Sequence, residues 1–149
     1  MSEVSIQTLS PQGVVSAVLK QLNQEQIGDA VACFATDFRY KDHGIGLEFR
    51  DKERLTEFFR KTRELYPDYF LRADQTCASG EHVITQWTLK VTITEPFYAG
   101  LTRRIPISIA GVSIVRTDNG TIAEWADYYD GPTSRRTALA AHFTEWVEY

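Results

Sequence analysis

Apolar positions recur along this chain with two periods, and the switches between them mark out helices and strands. Val14, Val15, Val18, Leu19 and Leu22 follow helical spacing. Ser10-Pro11 stands before them, a capping hydroxyl and then proline at the first helical position. A second, short helix is predicted to carry Ile27, Ala30, Val31 and Phe34. From Asp37 to Asp42 the period drops to two. Phe38, Tyr40 and Asp42 share one face there, Arg39 and Lys41 the other. Gly44 and Gly46 mark a loop. Asp51 is placed to cap a third helix, whose Leu55, Phe58, Phe59, Thr62, Leu65 and Tyr66 form one apolar stripe with charges opposite. Pro67-Asp68 ends it, because the residue before a proline is pushed out of the helical region.

The second half reads as strands. Tyr69 to Cys77 is one, closed by a turn at Ser79-Gly80. Glu81 to Thr94 is another, with Val83, Thr85, Trp87, Leu89, Val91 and Ile93 on one face, and Glu95-Pro96 breaks it. In Arg103 to Thr117, Ile105, Ile107, Ile109, Gly111 and Ser113 share a face. Pro106 suits the start or edge of such a strand, since it has no N–H for a central ladder. Asp118-Asn119-Gly120 is a tight turn leading into a last strand that ends at Asp130, before Gly131-Pro132. A terminal amphipathic helix, 134–149, sets Leu139, Phe143, Trp146 and Val147 on one side. Two helices, a strand, a helix, four strands and a helix predict one α+β domain over 1–149. Its sheet is expected to be antiparallel and strongly curved, with the early helices on the concave face and a pocket between them.

Composition mainly excludes. The chain is 43% hydrophobic and 24% charged, ordinary values for a globular domain. Its net charge is −4 and no basic stripe follows any element, so nucleic acid is not an expected partner. No apolar run has bilayer length, so neither is a membrane. Met1 to Ser10 lacks the apolar core of a signal peptide, which makes the cytoplasm the expected compartment. Cys33 and Cys77 form no CxxC pair and are expected to be buried small hydrophobes. There is no glycine-rich phosphate loop, HExxH motif or His/Cys cluster, so neither a metal nor a cofactor is expected.

Candidate chemistry comes from acids on apolar faces. Trp125, Asp127 and Tyr129 share a strand face, with Ala126 and Tyr128 opposite. Burying an acid between two aromatics is costly unless it is paired or protonated. Asp127 is therefore the first candidate for proton transfer, and burial beside Trp125 and Trp87 is expected to raise its pKa toward neutrality. Asp42 is the second. Tyr40 shares its face and can donate to a substrate oxygen. Trp87, Trp125, Tyr129, Phe58, Phe59, Ile107 and Ile109 are the expected pocket walls. His43 is read as a loop residue, His82 and His142 as surface residues.

Three passages resemble the SnoaL-like group of the nuclear-transport-factor-2-like superfamily. They are Phe38-Arg39-Tyr40-Lys41-Asp42-His43-Gly44, Phe58-Phe59 with Tyr66-Pro67-Asp68, and Asn119-Gly120-Thr121-Ile122-Ala123-Glu124-Trp125-Ala126-Asp127. The resemblance runs from about Val14 to Asp130. It implies a cone-shaped α+β barrel, an apolar pocket inside the cone, and a homodimer. Similarity to SnoaL-like polyketide cyclases puts Asp127 at their acid/base position and Ser113 where their assisting histidine stands. Similarity to limonene-epoxide hydrolases fits Asp127 to one carboxylate and Tyr40 to the water-holding tyrosine. Asp42 then replaces an asparagine, and Trp87 and Leu89 replace an arginine and the second carboxylate. Similarity to ketosteroid isomerases puts Asp42 at the base, with Val18 and Val112 where their oxyanion donors would be.

The leading expectation is a small cofactor-independent acid/base enzyme of cyclase, isomerase or hydrolase type, acting on a hydrophobic small molecule. In it Asp127 moves the proton, while Asp42 and Tyr40 orient water or a substrate oxygen. The alternative is a ligand-binding or dimerisation module without catalysis. A third reading is an epoxide hydrolase with altered water-holding residues.

Overall fold

The computed structural model describes residues 9–96 and 99–130; the expected terminal helix, 134–149, lies outside them. Helix α1 (Pro11–Asn23) starts as its sequence indicates, with the Ser10 hydroxyl accepting the Gly13 N–H at 3.0 Å. Its buried side is Val14, Val15, Val18, Leu19 and Leu22. Helix α2 (Ile27–Ala32) is shorter than the sequence suggests. Phe34 does not extend it but opens strand β1 (Phe34–Asp42), in register with Ile122. A helix this short has little stability of its own, so strand pairing takes its last apolar residue. Strand β2 (Leu47–Phe49) follows the Gly44/Gly46 loop and was not foreseen. Helix α3 (Lys52–Leu65) is capped by Asp51, which accepts the Arg54 N–H at 3.0 Å, and buries Leu55, Phe58 and Phe59.

Four strands follow: β3 (Phe70–Ser79), β4 (His82–Pro96), β5 (Thr102–Asp118) and β6 (Thr121–Tyr129). They join β1 and β2 in one six-stranded sheet of order β2-β1-β6-β5-β4-β3, an α+β fold with a curved, unclosed sheet. The sheet is mixed, which corrects the expectation of a wholly antiparallel one. β1 and β6 run parallel, with Tyr40 opposite Trp125 and Asp42 opposite Asp127. No short turn joins these strands, so no turn imposes an antiparallel pairing on them. β4 continues through the expected break at Glu95-Pro96, where Pro96 pairs with Thr102. Pro106 pairs with Thr92 in a part of β5 that β6 no longer reaches, so one side of it is an edge.

Helix α1 packs across β3 to β6 and closes the concave side. Asn23, its last residue, fastens it to the sheet. The Asn23 amide donates to the Leu71 carbonyl and accepts the Leu71 N–H, each at 2.8 Å, as a neighbouring strand would. The cysteines depart from expectation: Cys33 is half-buried, and Cys77 is exposed on β3, an edge strand.

One irregularity decides which way the acids point. The β5–β6 turn has Asn119 and Gly120 at positive φ, 49° and 80°, as a two-residue hairpin needs. From there the ladder pairs Asp118 with Thr121 and Thr117 with Ile122. The next pair is Arg116 with Glu124, so Ala123 is an extra residue on β6, a β-bulge. Without it Ser113 would oppose Ala126, and Trp125, Asp127 and Tyr129 would face outward. With it Ser113 opposes Asp127 and all three turn into the cone.

Candidate active site

Asp42 and Asp127 sit side by side at the ends of the parallel β1–β6 pair, both buried, beneath α1 and α3. Between the sheet and these helices lies a cavity with about 630 Å³ of free space, its mouth included. Tyr40, Asp42, Phe58, Phe59, Trp87, Trp125, Asp127 and Tyr129 all line it. Ile107 and Ile109 do not, which corrects their expected place in the wall. Ile109 is packed into the core, and its cross-strand partner Leu89 supplies the wall at that level. Seven further lining residues came from outside the expected set: Val18, Leu19 and Leu22 of α1, Thr62 of α3, Tyr69 just before β3, Leu71 on β3, and Ser113 on β5.

Asp127 is held by three donors. The Tyr40 hydroxyl donates to Oδ2 at 2.5 Å, the Ser113 hydroxyl to Oδ1 at 2.5 Å, and the Trp125 indole N–H to Oδ1 at 2.7 Å. Hydroxyl bonds this short are characteristic of donation to an ionised carboxylate. Behind Ser113, the Trp87 indole N–H donates to its Oγ at 2.8 Å, so a chain runs Trp87, Ser113, Asp127, Tyr40. Ser113 was missed as a site residue. Its signal was its place on the face shared with Ile109 and Gly111, which becomes readable only once the bulge sets the register.

Asp42 is held differently. Tyr129 donates its hydroxyl to Oδ2 at 2.7 Å, and the Ile45 N–H donates to Oδ1 at 3.1 Å, with the Gly44 N–H adding a further backbone bond. Burial raises both acids. For Asp42 the charge on Asp127 adds to burial and outweighs its hydrogen bonds, pushing it from 3.8 up to about 7. For Asp127 burial is opposed by the bonds from Ser113, Tyr40 and Trp125. The proton of the pair therefore resides on Asp42 and the charge on Asp127. Burial also raises the phenols of Tyr40, Tyr69 and Tyr129, so they remain protonated donors.

Two glycines make room for this arrangement. Tyr129 lies against Gly44, where a Cβ would come within 2.1 Å of the ring. Trp87 lies against Gly111, where a Cβ would come within 2.3 Å of the indole. His43 stays outside the site as expected, exposed and stacked on Tyr128 with ring centroids 4.2 Å apart. His82 is exposed, and His142 lies outside the described residues. No cluster of His, Cys, Asp or Glu suited to a metal occurs among the described residues. No helix among them is long and apolar enough to cross a membrane.

Residues 15–125 match the SnoaL-like domain family. The chain belongs to the SnoaL-like family. Solved structures agree on the fold of this SnoaL-like protein. IdmH of Streptomyces antibioticus, a candidate polyketide cyclase, is 18% identical with a TM-score of 0.71, over 83% of this chain and 94% of that one. A candidate SnoaL-like polyketide cyclase of Shewanella denitrificans is 15% identical with a TM-score of 0.70, over 83% and 92%. A Catenulispora acidiphila protein with a ketosteroid isomerase-like fold, solved with trimethylamine, is 20% identical with a TM-score of 0.68, over 78% and 85%. At these identities the likeness shows the fold alone. No curated protein matches this SnoaL-like protein.

Proposed function

We propose that this SnoaL-like protein is a proton-transfer enzyme. It holds a hydrophobic small molecule in the cone and works with its own two carboxylates. The observation that carries this reading is the register of Asp42 against Asp127 in one apolar cavity. Two buried acids whose surroundings push their pKa values apart suit general acid/base work near neutral pH. The division of labour shifts from the one read in the sequence. Asp42, poised near neutrality, gives and takes the proton; Asp127, charged and held by Tyr40, Ser113 and Trp125, keeps it poised. Trp87 and Leu89 line the wall where an epoxide hydrolase would carry an arginine and a second carboxylate, so an isomerase or cyclase type is favoured over a hydrolase.

A second reading is a ligand-binding module, favoured by how completely the Asp127 bonds are satisfied within the protein. One experiment separates the two. Carboxyl carbon NMR is expected to show Asp42 titrating near pH 7 and Asp127 lower. A bound enolisable ketone is expected to take up solvent deuterium, and Asp42→Asn to abolish that uptake. Free-aspartate titration of both acids overturns the enzyme reading, and binding without exchange supports the module.

The outer face of the sheet supports a homodimer. Ile84 and Ile114 pair across β4–β5, Tyr128 lies one strand further on β6, and all three are exposed on that face. Sedimentation is expected to give twice the chain mass, and Ile114→Glu to halve it by placing a charge in the contact.

A further inference from the structure

The hydrogen-bonding inventory of the cavity is lopsided. The hydroxyls of Tyr40 and Ser113 and the indole N–H of Trp125 are given to Asp127, and the Tyr129 hydroxyl to Asp42. The Trp87 N–H is given to Ser113, and the Thr62 hydroxyl to the Phe58 carbonyl at 2.7 Å. Only the Tyr69 hydroxyl, among the described lining residues, has no such bond. A carboxylate offers about four acceptor sites, so Asp127 keeps one that no protein donor claims, while Asp42 presents its proton or, once ionised, a further acceptor. What remains for a guest is therefore ring faces, the free Asp127 acceptor site and the Asp42 carboxyl, with the Tyr69 hydroxyl and the Asp42 proton as the uncommitted donors among the described lining residues.

Charge points the same way. Among the described residues no Lys, Arg or His lines the cavity, while two carboxylates do. Arg63 comes close to Tyr69, its guanidinium carbon 5.4 Å from the ring centroid, but it does not line the cavity, and its buried Nε has no hydrogen-bond partner. Arg63 donates to the Tyr69 carbonyl at 2.6 Å and to Glu25 at 2.8 Å. A buried negative charge with no counter-charge in its own wall is costly. An anionic guest would add to that cost. A guest rich in carbonyls would find two donors, the Tyr69 hydroxyl and the Asp42 proton. A cation would gain on every side, since aromatic faces are electron-rich and attract positive charge.

We propose that the ligand of this cavity carries a positively charged nitrogen, an alkylammonium group lodged among the aromatic rings against Asp42 and Asp127. The proposal rests on the cavity being the ligand site and names the class of molecule it takes. Six rings, those of Tyr40, Phe58, Phe59, Trp87, Trp125 and Tyr129, supply the aromatic lining, with Tyr69, just before β3, as a seventh.

Choline and its uncharged carbon isostere 3,3-dimethylbutan-1-ol test this on the full chain, by calorimetry and thermal unfolding. They share a shape and differ in charge. Choline is expected to raise Tm with concentration and to bind at least about tenfold more tightly than the isostere. At pH 8, above the Asp42 titration near 7, Asp42→Asn and Asp127→Asn are each expected to weaken choline relative to the isostere by about tenfold or more. Equal or tighter binding of the isostere overturns the proposal, as does failure of both to bind. So does choline affinity indifferent to both substitutions. Deuterium exchange into a neutral ketone in a protein that ignores choline would remove the cation and leave the proton-transfer reading intact. Choline binding in a protein that catalyses no exchange would do the reverse.

Discussion

Asp42→Asn is expected to make the protein more stable than the natural chain at pH 8, by about 2–4 kcal/mol. The argument is one of linkage. Burial, reinforced by the charge on Asp127, raises the Asp42 carboxyl from 3.8 to about 7. The folded chain then binds this proton more tightly than the unfolded chain does. Its contribution to stability is fully present below the unfolded pKa and is lost as pH rises through about 7. Asparagine mimics the protonated acid. Its Oδ1 keeps the Ile45 N–H, and its Nδ2 donates to the Tyr129 hydroxyl, which turns to accept. Urea unfolding at pH 5 and pH 8 checks this. The natural chain should lose stability over that interval relative to the Asp42→Asn protein, and the difference between the two cancels the histidines. Parallel pH profiles would mean that Asp42 ionises freely in the fold. A stabilised protein without proton-transfer activity is the usual signature of a residue kept for function at a cost in stability.

Local features were legible in the sequence because local physics decides them. The caps at Ser10 and Asp51, the turn at Asn119-Gly120 and the inward faces of β4 and β5 all follow from neighbouring residues. The candidate acids were legible for a related reason, since a carboxyl group on an apolar strand face stands out whatever the fold. What could not be read was how distant pieces meet. Tyr40 and Asp127 are 87 residues apart, and their strands pair in parallel with no turn between them to announce it. β2 spans three residues, too few to display a period. The bulge at Ala123 leaves only two adjacent buried residues, Ile122 and Ala123, as its trace. Yet it alone sets Ser113 opposite Asp127. Ile107 and Ile109 were placed on a correct face, but face alone does not say how far along a strand the cavity extends.

Gly111→Ala is expected to cost about 2–4 kcal/mol and to disorganise the site, although the added group is a single methyl. Gly111 sits between Trp87 on β4 and Tyr129 on β6 in the cross-strand register. The two rings approach over it, with centroids 5.8 Å apart. A Cβ at this point would lie 2.3–2.7 Å from three atoms of the Trp87 indole, well inside contact distance. The indole cannot swing aside cheaply. It is buried, and its N–H is bonded to Ser113, which in turn holds Asp127. Relief of the clash therefore breaks the chain from Trp87 to Asp127 at its first link. A red-shifted tryptophan emission should accompany the loss of stability as the indole leaves the core. Trp87→Phe in the same protein removes the outer ring atoms that clash, so the double substitution should cost clearly less than the sum of the two singles. Strict additivity would show that the indole does not lie over Gly111 and that the wall of the cavity is built some other way.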